Sequence, residues 1–123
     1  MITKFIERVS RGLPPIIYGD GQQTRDFVYV EDVAEAIAKA VGKELDKEVI
    51  NIATGKPTKI IDLAKLVMKL FENEDLKPVF ENPRPGDIRH SYALITKAVE
   101  KLGWKPHTGL EEGLEKTVEW FIG

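Results

Sequence analysis

Two arginines in polar, glycine-containing loops are the side chains of this sequence best suited to chemistry: Arg25 in GDGQQTRD and Arg84 in PRPGD. A guanidinium presents a planar fork of N–H donors that matches phosphate oxygens, so two of them converging on one cleft could clamp a diphosphate. Asp87 follows Arg84 across a Pro-Gly turn, and an ionised carboxylate, which only accepts hydrogen bonds, suits the hydroxyls of a sugar or ribose. The spacing leaves a second reading open, a structural ion pair between Arg25 and its neighbour Asp26. On pattern alone, Tyr18 and Phe27 are core or pocket-wall residues rather than stacking platforms.

Other chemistries fail on spacing. Gly19-Asp20-Gly21 starts like a dinucleotide fingerprint, but position 24 is threonine and no helical pattern opens there. Thr54-Gly55-Lys56 resembles the end of a phosphate loop, yet position 50 is isoleucine and position 57 proline, so a strand-to-helix turn is the better reading. His90 and His107 are too few and too far apart in sequence for a metal site. None of Tyr18, Tyr29 and Tyr92 has a lysine four residues on. The absence of cysteine excludes disulfides, thiol catalysis and thiolate metal sites.

The loops need elements to hold them. Ile2, Phe5, Ile6 and Val9 give an opening helix with one apolar face, closed by Gly12 and stopped by Pro14-Pro15. Ile16, Ile17 and Tyr18 form a strand fragment, and residues 25–30 have β-rich composition. Val33, Ala36, Ile37, Ala40 and Val41 then make a helical stripe with Glu31 and Asp32 in its first turn. Residues 49–53, apolar on both sides, read as a strand buried on both faces, as parallel strands are. Thr58 is placed to cap the next helix, whose stripe runs Ile60, Leu63, Ala64, Val67, Met68 and Phe71. Residues 78–80 form another short extended piece. Thr96 is placed to cap a short helix ending at Gly103, and Thr108 with Glu111 to make a capping box for a last helix lined by Leu110, Leu114, Val118 and Phe121.

At 123 residues the expectation is one α/β domain spanning 1–123, with four or five helices and short strands. Eighteen basic against twenty acidic residues leave a formal net charge of -2, which argues against nucleic acid as a partner. No apolar run approaches the roughly 18 residues of a membrane span. The N-terminus, MITKFIERV, is unlike a signal peptide, so a cytoplasmic location is expected. The Lys/Glu-rich composition also fits a thermophile.

Four ordered segments carry a resemblance: IYGDGQQTRDFVYVEDVAEAI, VINIATGKPTKIIDLA, PRPGDIRHSYALITKAVEKLGWKP and LEEGLEKTVEWF. Together they resemble the C-terminal part of the NAD-dependent epimerase/dehydratase family, the extended short-chain dehydrogenases acting on nucleotide sugars, and most of all its UDP-glucose 4-epimerase branch. The resemblance implies a small substrate-binding lobe without the NAD-binding Rossmann domain. It implies that Arg25 and Arg84 reach the pyrophosphate of a UDP-sugar, that Asp87 reaches the ribose, and that Ile16, Ile17 and Tyr18 lie against the uracil, partly through backbone groups.

In the family, the glycine-rich NAD site, the catalytic Tyr-x-x-x-Lys and its Ser/Thr partner lie upstream of the position of Met1. The expected catalytic, cofactor-binding and metal-binding sets within this chain are therefore empty, with NAD belonging to the complete family enzyme. Leu94 stands where the family usually has aspartate and Ala53 where it often has glycine, which puts local turns in question but not the clamp. Three roles follow: the substrate-binding portion of an epimerase or dehydratase, working with a Rossmann-domain chain; a freestanding UDP-sugar module; or a remnant with a structural role. The 49–53 strand resembles the one that completes the Rossmann sheet, so an exposed edge there would favour self-association.

Overall fold

In the computed structural model, residues 1–44 and 47–123 are described. Five helices and four short strands follow the chain order α1 (Ile2–Ser10), β1 (Ile16–Tyr18), β2 (Thr24–Arg25), α2 (Val30–Ala40), β3 (Thr58–Lys59), α3 (Ile60–Leu70), β4 (Val79–Glu81), α4 (Thr96–Leu102) and α5 (Leu110–Ile122). The apolar spacing of α1 and α3 places their stripes on facing sides, and both are buried. Phe5, Ile6 and Val9 meet Ile60, Leu63, Ala64, Val67 and Met68, with Leu114 and Val118 of α5 and Ile17 of β1 closing the main core. Arg8 Nε donates to the Pro14 carbonyl at 2.6 Å, tying the end of α1 to the turn that enters β1.

The strands form two separate pairs. β1 runs parallel to β4, with Ile16 opposite Val79, Ile17 opposite Phe80 and Tyr18 opposite Glu81. β2 runs antiparallel to β3, with Thr24 opposite Lys59 and Arg25 opposite Thr58. Gly21 must be glycine: its φ is +78°, and a Cβ there would lie 2.9 Å from Ile61 Cβ.

A second, smaller cluster joins Ala36 of α2, Ala98 and Leu102 of α4, and Trp104, with Val28, Ala40, Ile50 and Ile52 half-buried around them. Buried Asp32 locks it. Its carboxylate accepts from the backbone N–H of His107 at 3.2 Å and of Thr108 at 3.0 Å, while its carbonyl accepts from Trp104 Nε1 at 2.8 Å.

Several sequence expectations are corrected. Residues 49–53 form no strand, and Val49 is largely exposed. A strand needs a ladder partner for its backbone groups; none of the described strands pairs with this stretch, and Lys97 Nζ instead donates to the Val49 carbonyl at 3.1 Å. Of the β-rich stretch 25–30 only Arg25 lies in a strand, the end of β2, and α2 already begins at Val30. Thr58, Thr96 and Thr108 cap nothing: the cap positions belong to Lys59, Ile95 and Gly109, without side-chain bonds. Thr58 is spent in β3, and the Thr108 hydroxyl faces Asp32. Gly103, at φ +64°, does end α4.

Candidate functional site

A cleft of about 420 Å³ opens between α1, β1 and the loop after β4. Ile16, Ile17, Tyr18, Arg84 and Asp87 all border it, together with Phe5 and Arg8 of α1, Arg11 just after that helix, and Gln23. Five of the six residues singled out from the sequence are thus brought to one hollow. Arg25 is not among its lining residues and reaches it through Asp87.

Each side chain has an identifiable support. Arg84-Pro85-Gly86-Asp87 is a turn closed by the Asp87 N–H on the Arg84 carbonyl at 3.2 Å, with Gly86 at φ +76°. Proline at its second position and a positive-φ glycine at its third are what a type II turn demands. The turn carries the Arg84 guanidinium to 4.3 Å from the centre of the Tyr18 ring, a cation–π contact. It also carries Asp87 to Arg25, whose Nη2 donates to Asp87 Oδ1 at 2.6 Å while Nη1 donates to the Thr24 carbonyl at 2.6 Å. The Arg25 side chain is only 21% exposed, so its direction is fixed.

The alternative pairing of Arg25 with Asp26 is not formed. Asp26 turns the other way and accepts from Thr54 N–H at 2.9 Å, Thr54 Oγ1 at 2.6 Å and Gly55 N–H at 2.8 Å. Those amides are the donors a phosphate at Thr54-Gly55-Lys56 would need, and Gly19-Asp20-Gly21 leads into β2 rather than a helix. Neither motif therefore presents a free cradle of amides for a dinucleotide phosphate.

β1 forms the floor. Pro15 accepts from Val79 N–H and Glu81 accepts from Gly19 N–H, both at 2.9 Å. By the alternation of a parallel ladder, Ile17 faces β4 while the backbone groups of Ile16 and Tyr18 point away from it. The Ile17 side chain is sealed in the core, so it can offer no side-chain contact. Gln23 Nε2 donates to the Tyr18 carbonyl at 2.8 Å, and its Oε1 is buried without a partner.

Outside the cleft, Arg89 forms a two-bond pair with Asp20 and holds that carboxyl down to about 2, helped by the Gln22 N–H. The same pairing raises Arg89. A hydrogen bond from Lys97 likewise lowers Glu48. His90 Nδ1 lies 3.0 Å from Thr24 Oγ1, and His107 Nε2 lies 3.0 Å from Glu35. Among the described residues no group of three His, Asp or Glu side chains could hold a metal ion.

Gln23, Arg89, Arg8 and Arg11 were not singled out from the sequence, and Asp26 was weighed only as a partner for Arg25. Gln23 bonds the nearby Tyr18 carbonyl, whereas Asp26 and Arg89 take partners 28 and 69 positions away. The assembled cleft offers a guanidinium over an aromatic ring, a second guanidinium behind a carboxylate, and a half-apolar floor.

Residues 1–117 match the family described as GDP-mannose 4,6 dehydratase. The chain belongs to that nucleotide-sugar epimerase/dehydratase family, as a portion of its C-terminal lobe. It is 38% identical over 121 residues to the UDP-glucose 4-epimerase of Mycolicibacterium smegmatis, covering 98% of this chain and 38% of that protein. Its fold superposes with a TM-score of 0.92 on the UDP-glucose 4-epimerase of Thermotoga maritima solved with UDP-glucose, at 47% identity over 98% of this chain and 38% of the other. A UDP-N-acetylglucosamine 4-epimerase from Methanobrevibacter ruminantium, in complex with UDP-N-acetylmuramic acid, gives 0.92 at 40% identity, covering 99% and 39%. The chain thus spans under two fifths of the length of these relatives. Among the described residues, no helix is long and apolar enough to cross a membrane.

Proposed function

We propose that residues 1–123 act as one substrate-holding lobe for a UDP-sugar in an epimerase or dehydratase. Arg84 and Arg25 grip the diphosphate, Asp87 accepts from the ribose hydroxyls, and Ile16, Ile17 and Tyr18 form the floor against the uracil. The side chain of Ile17 is withdrawn into the core, so its part is to hold β1. Tyr18 and the backbone of Ile16 and Tyr18 make the contacts. The observation that carries this reading is the convergence of Arg84, Asp87 and Tyr18 on one cleft, with Arg25 bonded to Asp87 behind it. The bound UDP-sugars of the two similar epimerases support it.

Calorimetry with UDP and UDP-glucose tests the reading. Saturable binding tighter than about 1 mM is expected, and a bond to a charged group contributes about 1.5–3 kcal/mol, so Arg84→Ala and Arg25→Ala should each weaken it by about 10- to 100-fold. Absence of binding at millimolar UDP would refute the clamp. The lobe holds substrate without a base or hydride acceptor, so adding NAD to the purified chain should give no epimerisation of UDP-glucose. Turnover would overturn that assignment.

The face opposite the main core favours a partner. Val30, Ile37, Val41 and Val49 are 70%, 62%, 77% and 81% exposed. Further polypeptide of the kind that fills the relatives' remaining length, such as a Rossmann-domain chain, would cover them. The lobe alone would self-associate through them, and a sharp monomer in light scattering at high concentration would count against this. The expected setting is the cytoplasm.

A further inference from the structure

Residues 84–91 form a strap that carries Arg84 and Asp87, and its far end is fastened to the turn around Asp20. Arg89 Nη1 donates to Asp20 Oδ1 at 2.7 Å and Nη2 donates to Oδ2 at 3.0 Å, the parallel two-bond geometry that fixes both planes. Asp20 is itself aimed by the Gln22 N–H, which donates to its Oδ1 at 2.9 Å. Beside the pair, Thr24 N–H donates to the Arg89 carbonyl at 2.9 Å and Ser91 N–H to the Thr24 carbonyl at 3.1 Å, a short parallel bridge. Neither Asp20 nor Arg89 lines the cleft; both border a separate shallow hollow with Phe80 and Pro83.

We propose that the Asp20–Arg89 pair is a positioning clasp: it holds the strap so that Arg84 and Asp87 meet the diphosphate and ribose already oriented. The inference rests on the clamp reading above and extends it to two residues that touch no ligand. An exposed ion pair seldom adds much to global stability. This one joins positions 69 residues apart and restrains the only stretch of chain that carries both groups. Its effect therefore belongs in affinity, because a strap that is ordered beforehand loses less freedom when ligand arrives. An aspartate is ionised at neutral pH with or without a partner, and the pairing with Arg89 lowers the carboxyl further, so the clasp stays charged into mild acid.

The experiment combines UDP calorimetry with amide hydrogen exchange on the 123-residue chain, Arg89→Ala, Asp20→Ala and the charge-reversed Asp20→Arg/Arg89→Asp double variant. Each single variant should bind UDP about 5- to 10-fold more weakly while its melting temperature stays within roughly 4 °C. The Thr24 and Ser91 amides should exchange faster in the single variants. The reversed pair should recover most of the affinity, which a general loss of structure would not allow. Wild-type affinity in Arg89→Ala, or a reversed pair as weak as the singles, overturns the proposal. If the unaltered chain takes up no UDP, the clamp reading falls and the affinity role of the clasp falls with it. Exchange then decides separately whether the pair fastens the strap: faster exchange in Arg89→Ala upholds the fastening, and unchanged exchange removes it.

Discussion

The cleft side and the α2–α4 side of this molecule solve the same problem differently. Around the cleft, polar groups meet one another over long sequence distances: Arg25 with Asp87, Asp20 with Arg89, Thr24 with His90, Asp26 with Thr54 and Gly55. On the α2–α4 side a small cluster is sealed inward by Trp104 and Asp32, while Val30, Ile37, Val41 and Val49 face out. The first region is held by polar pairs, with the buried Gln23 Oε1 left without a partner. The second is sealed on its inner face and leaves large apolar side chains exposed on its outer one.

The strongest way to break this contrast is at Trp104. Its side chain is fully buried and its indole N–H bonds the Asp32 carbonyl, so Trp104→Ala should cost about 3–5 kcal/mol in urea unfolding. Because the ring lies in the smaller cluster, UDP affinity should fall far less than stability does; an equal loss of both would show that the two regions are one. Asp26→Ala strikes the cleft side by orphaning two backbone N–H groups and one hydroxyl, and about 1–3 kcal/mol should be lost in thermal melts.

A smaller effect should appear with acid. The Asp20 carboxyl titrates near 2 in the folded chain against an ordinary 3.8. The unfolded form then binds more protons between those values, so the stabilisation from this pair is complete above 3.8 and is lost as pH falls through 2. Protection of the Thr24 and Ser91 amides should accordingly be level from neutrality to about 4 and fall below it, whereas Arg89→Ala should show no such step. The smallest effect on folding should come from Val41→Lys. An exposed position should shift stability by less than about 0.5 kcal/mol, yet the added charge should reduce self-association in light scattering. Unchanged association would remove this face as the contact surface.

What the sequence made legible was periodic or local. The stripe of α3 reads directly onto the core, with Ile60, Leu63, Ala64 and Val67 all sealed, and Gly103 ends α4 as its position suggests. The PRPGD turn was legible because its proline fixes φ and its glycine permits the positive φ that the turn needs. Residues 49–53 misled because a strand is defined by its neighbour, which composition does not reveal. The threonine caps failed where tertiary contacts took the residue elsewhere: Thr58 is in β3, and the Thr108 hydroxyl faces Asp32 at 3.5 Å. The bend of Asp26 toward residue 54 and the reach of Arg89 to Asp20 depend on contacts 28 and 69 positions away, for which no local pattern exists.

The parallel pairing of β1 with β4 has a consequence for the birth of the chain. Tyr18 leaves the ribosome long before its partner Glu81, roughly 60 residues later, an interval of several seconds at about 5–20 residues per second. During that time the Ile16-Ile17-Tyr18 edge is an unpaired apolar template, open to chaperones and to neighbouring nascent chains alike. The floor of the cleft therefore cannot be finished until β4 has emerged, and its yield in the cell should depend on how quickly translation passes through residues 19–81.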